Sequence, residues 1–272
     1  MDNTITSKLC NRNTDYYSDK LESLQDIFGV KEIKIEKQCI TVGNHSYPVI
    51  DDVIVLLEPQ QYPLSIKNVL NTPSVQPTKN LSDFAEDIQF TFGAEWQTYS
   101  TMLPEHKDEF ALYFDIVDIS NLINSRVCDL GCGIGRWSYF LKEKCRELVL
   151  VDFSEAIFVA RRNLNDTNNA IFFMGDIKRL PFRNSFADFL FCLGVLHHLP
   201  VDALNEVRLL KNCAPTLLIY LYYALDNRPF HFHILLDIIT LIRKVVSKIR
   251  NHSFRTLFSF IVTFTVYLPF IY

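Results

Sequence analysis

The chain has 272 residues, of which 49% are hydrophobic, 21% charged and 13% aromatic, and its formal net charge is -4. This composition excludes disordered, collagen-like and low-complexity classes, and the length suits one large domain with at most a small appendage. The net charge argues against a nucleic-acid partner, because the chain as a whole does not attract a polyanion.

The cysteines indicate a reducing compartment. There are seven of them, an odd number, and none forms a C-x-x-C pair, so neither a disulfide framework nor a zinc ribbon is indicated. The first ten residues lack an apolar run and do not form a secretory signal. We therefore expect a cytoplasmic protein with no metal site.

Residues 1–80 predict a small β-rich segment followed by a linker. Apolar runs with β character lie at 31–35, 39–42 and 49–57, separated by turn-forming residues, as in hairpins. The linker is too rich in proline for a continuous helix. Its prolines are Pro59, Pro63, Pro73 and Pro77.

Residues 81–225 alternate between strand-like and helix-like segments. The strand candidates are short apolar runs, as expected for strands buried on both faces of a parallel sheet. They lie at 126–130, 148–152, 170–174, 188–193 and 216–222, and helix candidates lie at 137–144, 155–164 and 203–210. Ser154 is a plausible N-cap for the second helix. The alternation predicts an α/β fold with a doubly wound, mostly parallel sheet.

Residues 226–272 predict a helical, apolar tail. Arg243, Lys244, Lys248 and Arg250 lie among Ile and Val, and residues 256–272 carry no charge. At ~1.5 Å per residue this uncharged run is a little short of the ~30 Å bilayer core. A solvated or core helix and a peripheral membrane contact through residues 228–272 are both open interpretations.

A glycine-rich loop follows the first predicted strand of the central region. Gly131, Gly133 and Gly135 allow a sharp turn and close approach of a ligand, and the next helix would point its free N–H groups toward that ligand. Asp152 ends the second strand, where a carboxylate can accept both hydroxyls of a ribose. Asp176 follows the third strand and could accept the exocyclic amine of adenine. Together they predict an adenosine-containing cofactor.

The residues around the loop distinguish between two cofactors. Asp129 precedes the glycines, and Arg136 and Trp137 stand where a dinucleotide fingerprint has its third glycine. A carboxylate would repel a pyrophosphate but attract an ammonium group. S-adenosyl-L-methionine carries adenine, ribose and an aminoacyl tail without phosphate, so its charges fit better than those of NAD.

Four motifs in order now suggest a family. The runs VCDLGCGIGRWSYFL, LVLVDFSEAIFVARRNL, FFMGDIKRLPF and FLFCLGVLHHLP resemble the class I S-adenosylmethionine-dependent methyltransferases over residues 120–215. The resemblance implies a Rossmann-like methyltransferase fold and assigns each cofactor contact to a residue. Asp129, Gly131, Cys132 and Gly133 would lie along the methionine, Asp152 on the ribose, Phe153, Asp176 and Ile177 on the adenine, and Leu193 below the sulfonium.

The sequence also departs from this family. Asn212-Cys-Ala-Pro215 replaces a Pro-Gly-Gly turn, and residues 226–272 show no hairpin to complete the sheet. Residues 1–80 resemble a degenerate zinc-ribbon domain in which only Cys10 and Cys39 remain as possible ligands, whereas a structural zinc site needs four. These departures keep a second hypothesis open, in which the chain is an inactive cofactor-binding or membrane-associated accessory protein.

His197 and His198 follow the fourth strand and are the candidate catalytic residues. A neutral imidazole there could take a proton from a hydroxyl or amine as a methyl group moves. Alternatively, one histidine orders the loop and the other faces solvent. The leading hypothesis is a methyltransferase acting on a small-molecule or saccharide-type acceptor, with a NAD-dependent oxidoreductase as the weakest rival.

Overall fold

A computed structural model describes residues 16–36, 38–71, 99–199, 201–222, 229–230, 234, 237, 239–240 and 252–264. The chain forms two compact units, Met1–Leu221 and Tyr222–Tyr272. The predicted boundaries at residues 80 and 225 both lie outside the described residues. The division into 1–80, 81–225 and 226–272 therefore stays a prediction.

The described part of the first unit is built on a nine-stranded sheet. Its strands are β1 (Ile33–Glu36), β2 (Cys39–Val42), β3 (His45–Ile50), β4 (Val53–Val55), β5 (Arg126–Leu130), β6 (Glu147–Asp152), β7 (Ala170–Met174), β8 (Phe189–Leu193) and β9 (Thr216–Tyr220). The spatial order is β1-β2-β3-β4-β7-β6-β5-β8-β9. The helices are α1 (Leu21–Phe28), α2 (Leu64–Val69), α3 (His106–Tyr113), α4 (Ser138–Leu141), α5 (Ala156–Asn163) and α6 (Ala203–Leu210).

Strands β4 to β9 pair in parallel, and every residue of β5, β6 and β7 is buried. Side chains alternate between two apolar clusters on opposite faces of the sheet, so that Leu148 and Leu150 belong to one and Val149 and Val151 to the other. Continuous apolar runs suit strands covered on both faces. This confirms the predicted α/β fold with a mostly parallel, Rossmann-like sheet.

The N-terminal strands continue this sheet. Strands β1 to β4 form an antiparallel meander, and β4 pairs in parallel with β7, with Val53 beside Phe172. The prediction of one apolar run over 49–57 was wrong, because β3 and β4 are separate strands. Asp51 and Asp52 between them have φ values of 47° and 62°, which turn the chain into a tight hairpin.

Most predicted bounds in the central region are close to those observed. Strands β5 and β7 and helix α6 match their predictions, whereas β9 ends at Tyr220, two residues early. The helix predicted over 137–144 is only Ser138–Leu141, because a turn follows in which the Lys144 N–H donates to the Leu141 carbonyl. The N-cap of α5 is Glu155 and not the predicted Ser154, although Ser154 Oγ accepts a hydrogen bond from the Ala156 N–H at 3.3 Å.

The zinc-ribbon resemblance finds no support in the described residues. Cys39 lies in β2 with its Sγ atom 2.6 Å from Ser46 Oγ, and Cys10 lies outside the described residues. Among those described, no group of three or more His, Cys, Asp or Glu side chains is arranged to hold a metal ion.

The second unit contains helix α7 (His252–Val262), followed by a further helical turn at residues 263–264. Residues 230, 234, 237, 239 and 240 are also helical. Across the described portions of the chain, no helix is both long enough and apolar enough to cross a bilayer.

Candidate active site

The predicted site residues gather at one edge of the sheet. Strands β7, β6, β5 and β8 are neighbours and run in parallel, so their carboxyl ends lie side by side. Asp129 and Asp152 lie at or next to the ends of β5 and β6, Asp176 follows β7, and Leu193 ends β8. Open α/β sheets bind their ligands at this edge.

The glycine loop lies against the end of β6. The N–H groups of Gly131 and Cys132 both donate to the Val151 carbonyl, at 2.7 and 3.0 Å. Gly131, Gly133 and Gly135 have φ values of 80°, 52° and 73°, which side chains disfavour. A Cβ on Gly131 would lie 2.5 Å from a Val195 methyl group, so the packing of Val195 on the loop requires glycine at this position.

The Asp152 carboxyl group ties the glycine loop to β6. The residue is 7% exposed, and its Oδ2 accepts a hydrogen bond from the Gly133 N–H at 2.8 Å. Its Oδ1 accepts from the Ser154 N–H at 2.8 Å and from the Ser154 hydroxyl at 2.6 Å. Burial raises the pKa of Asp152, and these hydrogen bonds oppose that rise by stabilising the ionised form.

The Asp129 carboxyl group, like that of Asp152, has a raised pKa. It is 2% exposed, and its Oδ2 accepts a hydrogen bond from the hydroxyl of the fully buried Ser138 at 2.7 Å. Burial raises the pKa of Asp129 to about 7, the negative charge of Asp152 adds to the rise, and the Ser138 hydrogen bond opposes it.

Neither of these carboxylates forms an ion pair with a described residue. Two buried like charges without a counter-ion repel each other and favour a ligand that brings a positive charge. They would equally oppose a phosphate. The charges at this edge therefore favour a cationic ligand over a phosphate. This is the same distinction that the sequence analysis drew between S-adenosylmethionine and NAD.

The remaining predicted cofactor residues are half-buried at the same edge. Asp176 Oδ1 accepts a hydrogen bond from the Lys178 N–H at 3.0 Å and caps the 3₁₀ turn Ile177–Arg179. The Gly175 N–H donates to the Asp152 carbonyl at 2.9 Å, which keeps this turn beside β6. Phe153 and Leu193 are also half-buried at the ends of their strands.

His197 and His198 lie in the 3₁₀ turn Leu196–His198 that follows β8. Their ring centroids are 4.0 Å apart, and both rings are half-buried. Burial lowers the pKa of both side chains, and the neighbouring His198 lowers that of His197 further. Both imidazoles are therefore neutral at pH 7 and able to accept a proton. Val195, which contacts Gly131, belongs to the same loop and brings the pair toward the glycine loop.

Three residues that support the site were missed by the sequence reasoning. Ser138 holds Asp129, Val195 packs on Gly131, and Asn163 Nδ2 donates to the Ile134 carbonyl at 3.0 Å and so supports the glycine loop. Ser138 could have been found from the sequence, because it lies nine residues after Asp129 at the start of the predicted helix, where a hydroxyl can reach the end of the preceding strand. Nothing in the local sequence marks Val195 or Asn163, because their contacts form only in the folded sheet.

A known protein family matches the central part of this sheet. Residues 127–217 match the family described as "Methyltransferase domain". No curated protein matches the chain by sequence. The matched residues contain the glycine loop, both buried carboxylates and the histidine pair, so this part of the chain is similar to a methyltransferase domain.

Solved structures show a more distant similarity. One is phosphoethanolamine N-methyltransferase 1 of Haemonchus contortus, in complex with phosphoethanolamine and S-adenosylhomocysteine (25% identity over 48% of this chain and 31% of that one, TM-score 0.38). Another is the YcgJ protein of Bacillus subtilis (24% identity over 40% of this chain and 47% of that one, TM-score 0.36). A third is a SAM-dependent methyltransferase of Aquifex aeolicus (19% identity over 45% of this chain and 66% of that one, TM-score 0.36). The chain spans less than two thirds of each of them. At these TM-scores the similarity supports no functional conclusion by itself.

The residues present fit S-adenosylmethionine, the cofactor that the resemblance of the four sequence motifs implies. The cofactor contains an ammonium group and a ribose but no phosphate. The two buried carboxyl groups at this edge match the ammonium group and the ribose hydroxyls. When bound, it supplies a methyl group on a positively charged sulfur.

Proposed function

We propose that the chain transfers a methyl group from S-adenosylmethionine to a small-molecule or saccharide-type acceptor in the cytoplasm. The observation that carries this proposal is the pair of buried carboxylates, Asp129 and Asp152, around the glycine loop. The negative net charge supports an acceptor other than nucleic acid. The six described cysteines are all free thiols, which supports a reducing compartment.

In this proposal the glycine loop and the carboxylates divide the recognition of the cofactor. Asp129 faces the ammonium group, with the backbone of Gly131, Cys132, Gly133 and Gly135 along the aminoacyl tail. Asp152 accepts ribose hydroxyls while it holds Gly133. Phe153, Asp176 and Ile177 contact the adenine, and Leu193 lies below the sulfur.

His197 and His198 are proposed to handle the acceptor proton. The lowered pKa of each keeps it neutral, so the imidazole nitrogen can take the proton that a hydroxyl or amine loses as its oxygen or nitrogen bonds to the methyl carbon. Alignment of the acceptor with the methyl group would supply the remaining acceleration.

Turnover across a panel of hydroxyl and amine acceptors tests this proposal. With an acceptor identified, replacing the base by asparagine should lower kcat by about 10²–10⁴ with little change in cofactor affinity. His197→Asn and His198→Asn should be measured separately, because only the proton acceptor should show the loss. If neither does, the histidines order the loop. Cofactor binding without turnover of any acceptor would favour the accessory function.

A further inference from the structure

The apolar side chains of helix α7 are largely exposed. Leu257, Phe260 and Phe264 have between 59% and 63% of their surface in solvent. Their spacing of three and four residues places them on one side of the helix, and the rings of Phe260 and Phe264 stack with centroids 6.4 Å apart. We define these three residues as the apolar face of α7, although Phe264 lies in the helical turn that directly follows Val262. Large exposed apolar surfaces on proteins commonly mark sites of contact.

The sequence that leads into this helix carries charge of one sign. Residues 238–272 contain five basic residues and no acidic residue, although the whole chain has a net charge of -4. The basic residues are Arg243, Lys244, Lys248, Arg250 and Arg255. A partner that complements both features must be anionic and must offer an apolar interior a short distance below its charged surface.

A bilayer that contains anionic lipids meets both conditions. Basic side chains are attracted to its headgroups, and exposed Phe and Leu side chains can enter the boundary between headgroups and acyl chains. Thr256 and Thr263 lie seven residues apart on another side of the helix, and both are exposed. Because α7 has 11 residues, about 16 Å at ~1.5 Å per residue, it suits a position in the surface rather than across it.

We infer that helix α7 docks the protein on an anionic membrane surface, with its apolar face inserted at the interface. This inference goes beyond the proposed methyl transfer and does not depend on it. The apolar face of α7 therefore binds a lipid surface. A second copy of the chain or a partner protein would be a different outcome of the test.

Vesicle flotation of the full chain tests the inference. The protein should float with vesicles of phosphatidylcholine and phosphatidylserine and remain at the bottom with phosphatidylcholine alone. Raising the ionic strength should release it, because salt screens the basic residues. The double variant Phe260→Ser/Phe264→Ser should lower the bound fraction by about tenfold or more, since two aromatic side chains lose their burial in lipid. Lys244→Gln/Lys248→Gln should weaken binding to the anionic vesicles.

A matched control uses exposed apolar residues outside the second unit. Leu112 and Ile116 are 75% and 80% exposed, and Leu112→Ser/Ile116→Ser should leave flotation unchanged. Circular dichroism spectra and thermal unfolding transitions, equal in all variants, would show that each of them is folded.

Three results would overturn the inference. The wild-type protein could fail to float with anionic vesicles, or it could float equally well with neutral ones. Alternatively, sedimentation could show a dimer that Phe260→Ser/Phe264→Ser dissociates without any vesicle binding, which would assign the face to a second copy.

Discussion

Strands β5 and β6 bury charged residues at both ends, but opposite charges pair at the amino ends whereas two like charges lie together at the carboxyl ends. At the amino ends, Arg126 pairs with Glu147 on the neighbouring strand and with Asp26 on α1, and it also donates to the Phe186 carbonyl at 2.8 Å. At the carboxyl ends, Asp129 and Asp152 have the same sign and are held by hydroxyl and backbone donors alone.

This difference separates a charge network that holds the fold from one that serves a ligand. Opposite buried charges compensate each other and tie α1 to the sheet. Like charges, by contrast, cost stability and shift pKa values, and such groups are concentrated at functional sites. The carboxyl ends of the strands therefore lack the positive charge that the cofactor brings.

Breaking the amino-end network should give the largest effect on stability. Arg126→Ala leaves the buried Glu147 without its partner, so we expect a loss of about 3–5 kcal/mol in the free energy of unfolding, measured by denaturant titration. Arg146→Ala is the matched control, because the Arg146–Asp188 pair is solvent-exposed and should cost less than about 1 kcal/mol. Similar losses in both variants would show that the Arg126 network does not hold the fold.

At the carboxyl ends, removal of a charge should stabilise the fold instead. The pKa of Asp129 is about 7 in the folded chain against 3.8 as its ordinary value, so its contribution to stability is present below pH 4 and lost as the pH rises through 7. Asp129→Asn removes that loss and should gain up to about 4 kcal/mol at pH 8, at 1.36 kcal/mol per pKa unit, but nothing at pH 4.

Asp26 supplies the contrast for this experiment. Hydrogen bonds from Arg183 and Arg126 lower its pKa, so its contribution is present at neutral pH and lost as the pH falls through the lowered pKa. Asp26→Asn should therefore destabilise the protein more at pH 7 than at pH 3. The same pH trend in both variants would contradict the distinction between the two ends.

Asp152→Asn should weaken cofactor binding by about 1–3 kcal/mol, because hydrogen bonds to a charged acceptor are lost. Calorimetric titration with S-adenosylhomocysteine measures the change. Asp166→Asn, a surface carboxylate paired with Lys142, is the control and should bind normally. Unchanged affinity in a folded Asp152→Asn protein would remove this residue from the ribose assignment.

The smallest expected effect is at Ser138. Ser138→Ala removes a hydrogen bond that stabilises the ionised Asp129, so the pKa of that carboxyl rises above about 7. We expect the cofactor affinity at pH 7 to fall by about tenfold, which is about 1.4 kcal/mol and close to the lower end of the ~1.5–3 kcal/mol of such a bond, and to recover at higher pH. Ser138→Thr keeps the hydroxyl and should restore the wild-type pH profile. A loss that is the same at every pH would mean that Ser138 only fills space.

The sequence predicted the parallel core well because its signals are local. Strand β5, the glycine loop and Asp152 all follow from apolar runs and from the residues that end them. The pairing of β4 with β7 could not be predicted, since Val53 and Phe172 are far apart in the chain and only tertiary packing brings them together. The Arg126–Asp26 pair and the Ser138–Asp129 hydrogen bond were missed for the same reason. The turn at Asp51 was missed because the apolar residues on either side of it form what looks like one run.

Calorimetric titration with S-adenosylmethionine at pH 6, 7 and 8, with NAD as a control, tests the central claim most directly. If Asp129 ionises to receive the ammonium group, binding at pH 6 should be weaker than at pH 8 and should release a proton, seen as a heat that varies with the buffer. Methylthioadenosine, which lacks the aminoacyl tail, should show neither effect, and NAD should not bind. Binding of S-adenosylmethionine that is independent of pH and releases no proton would contradict the account.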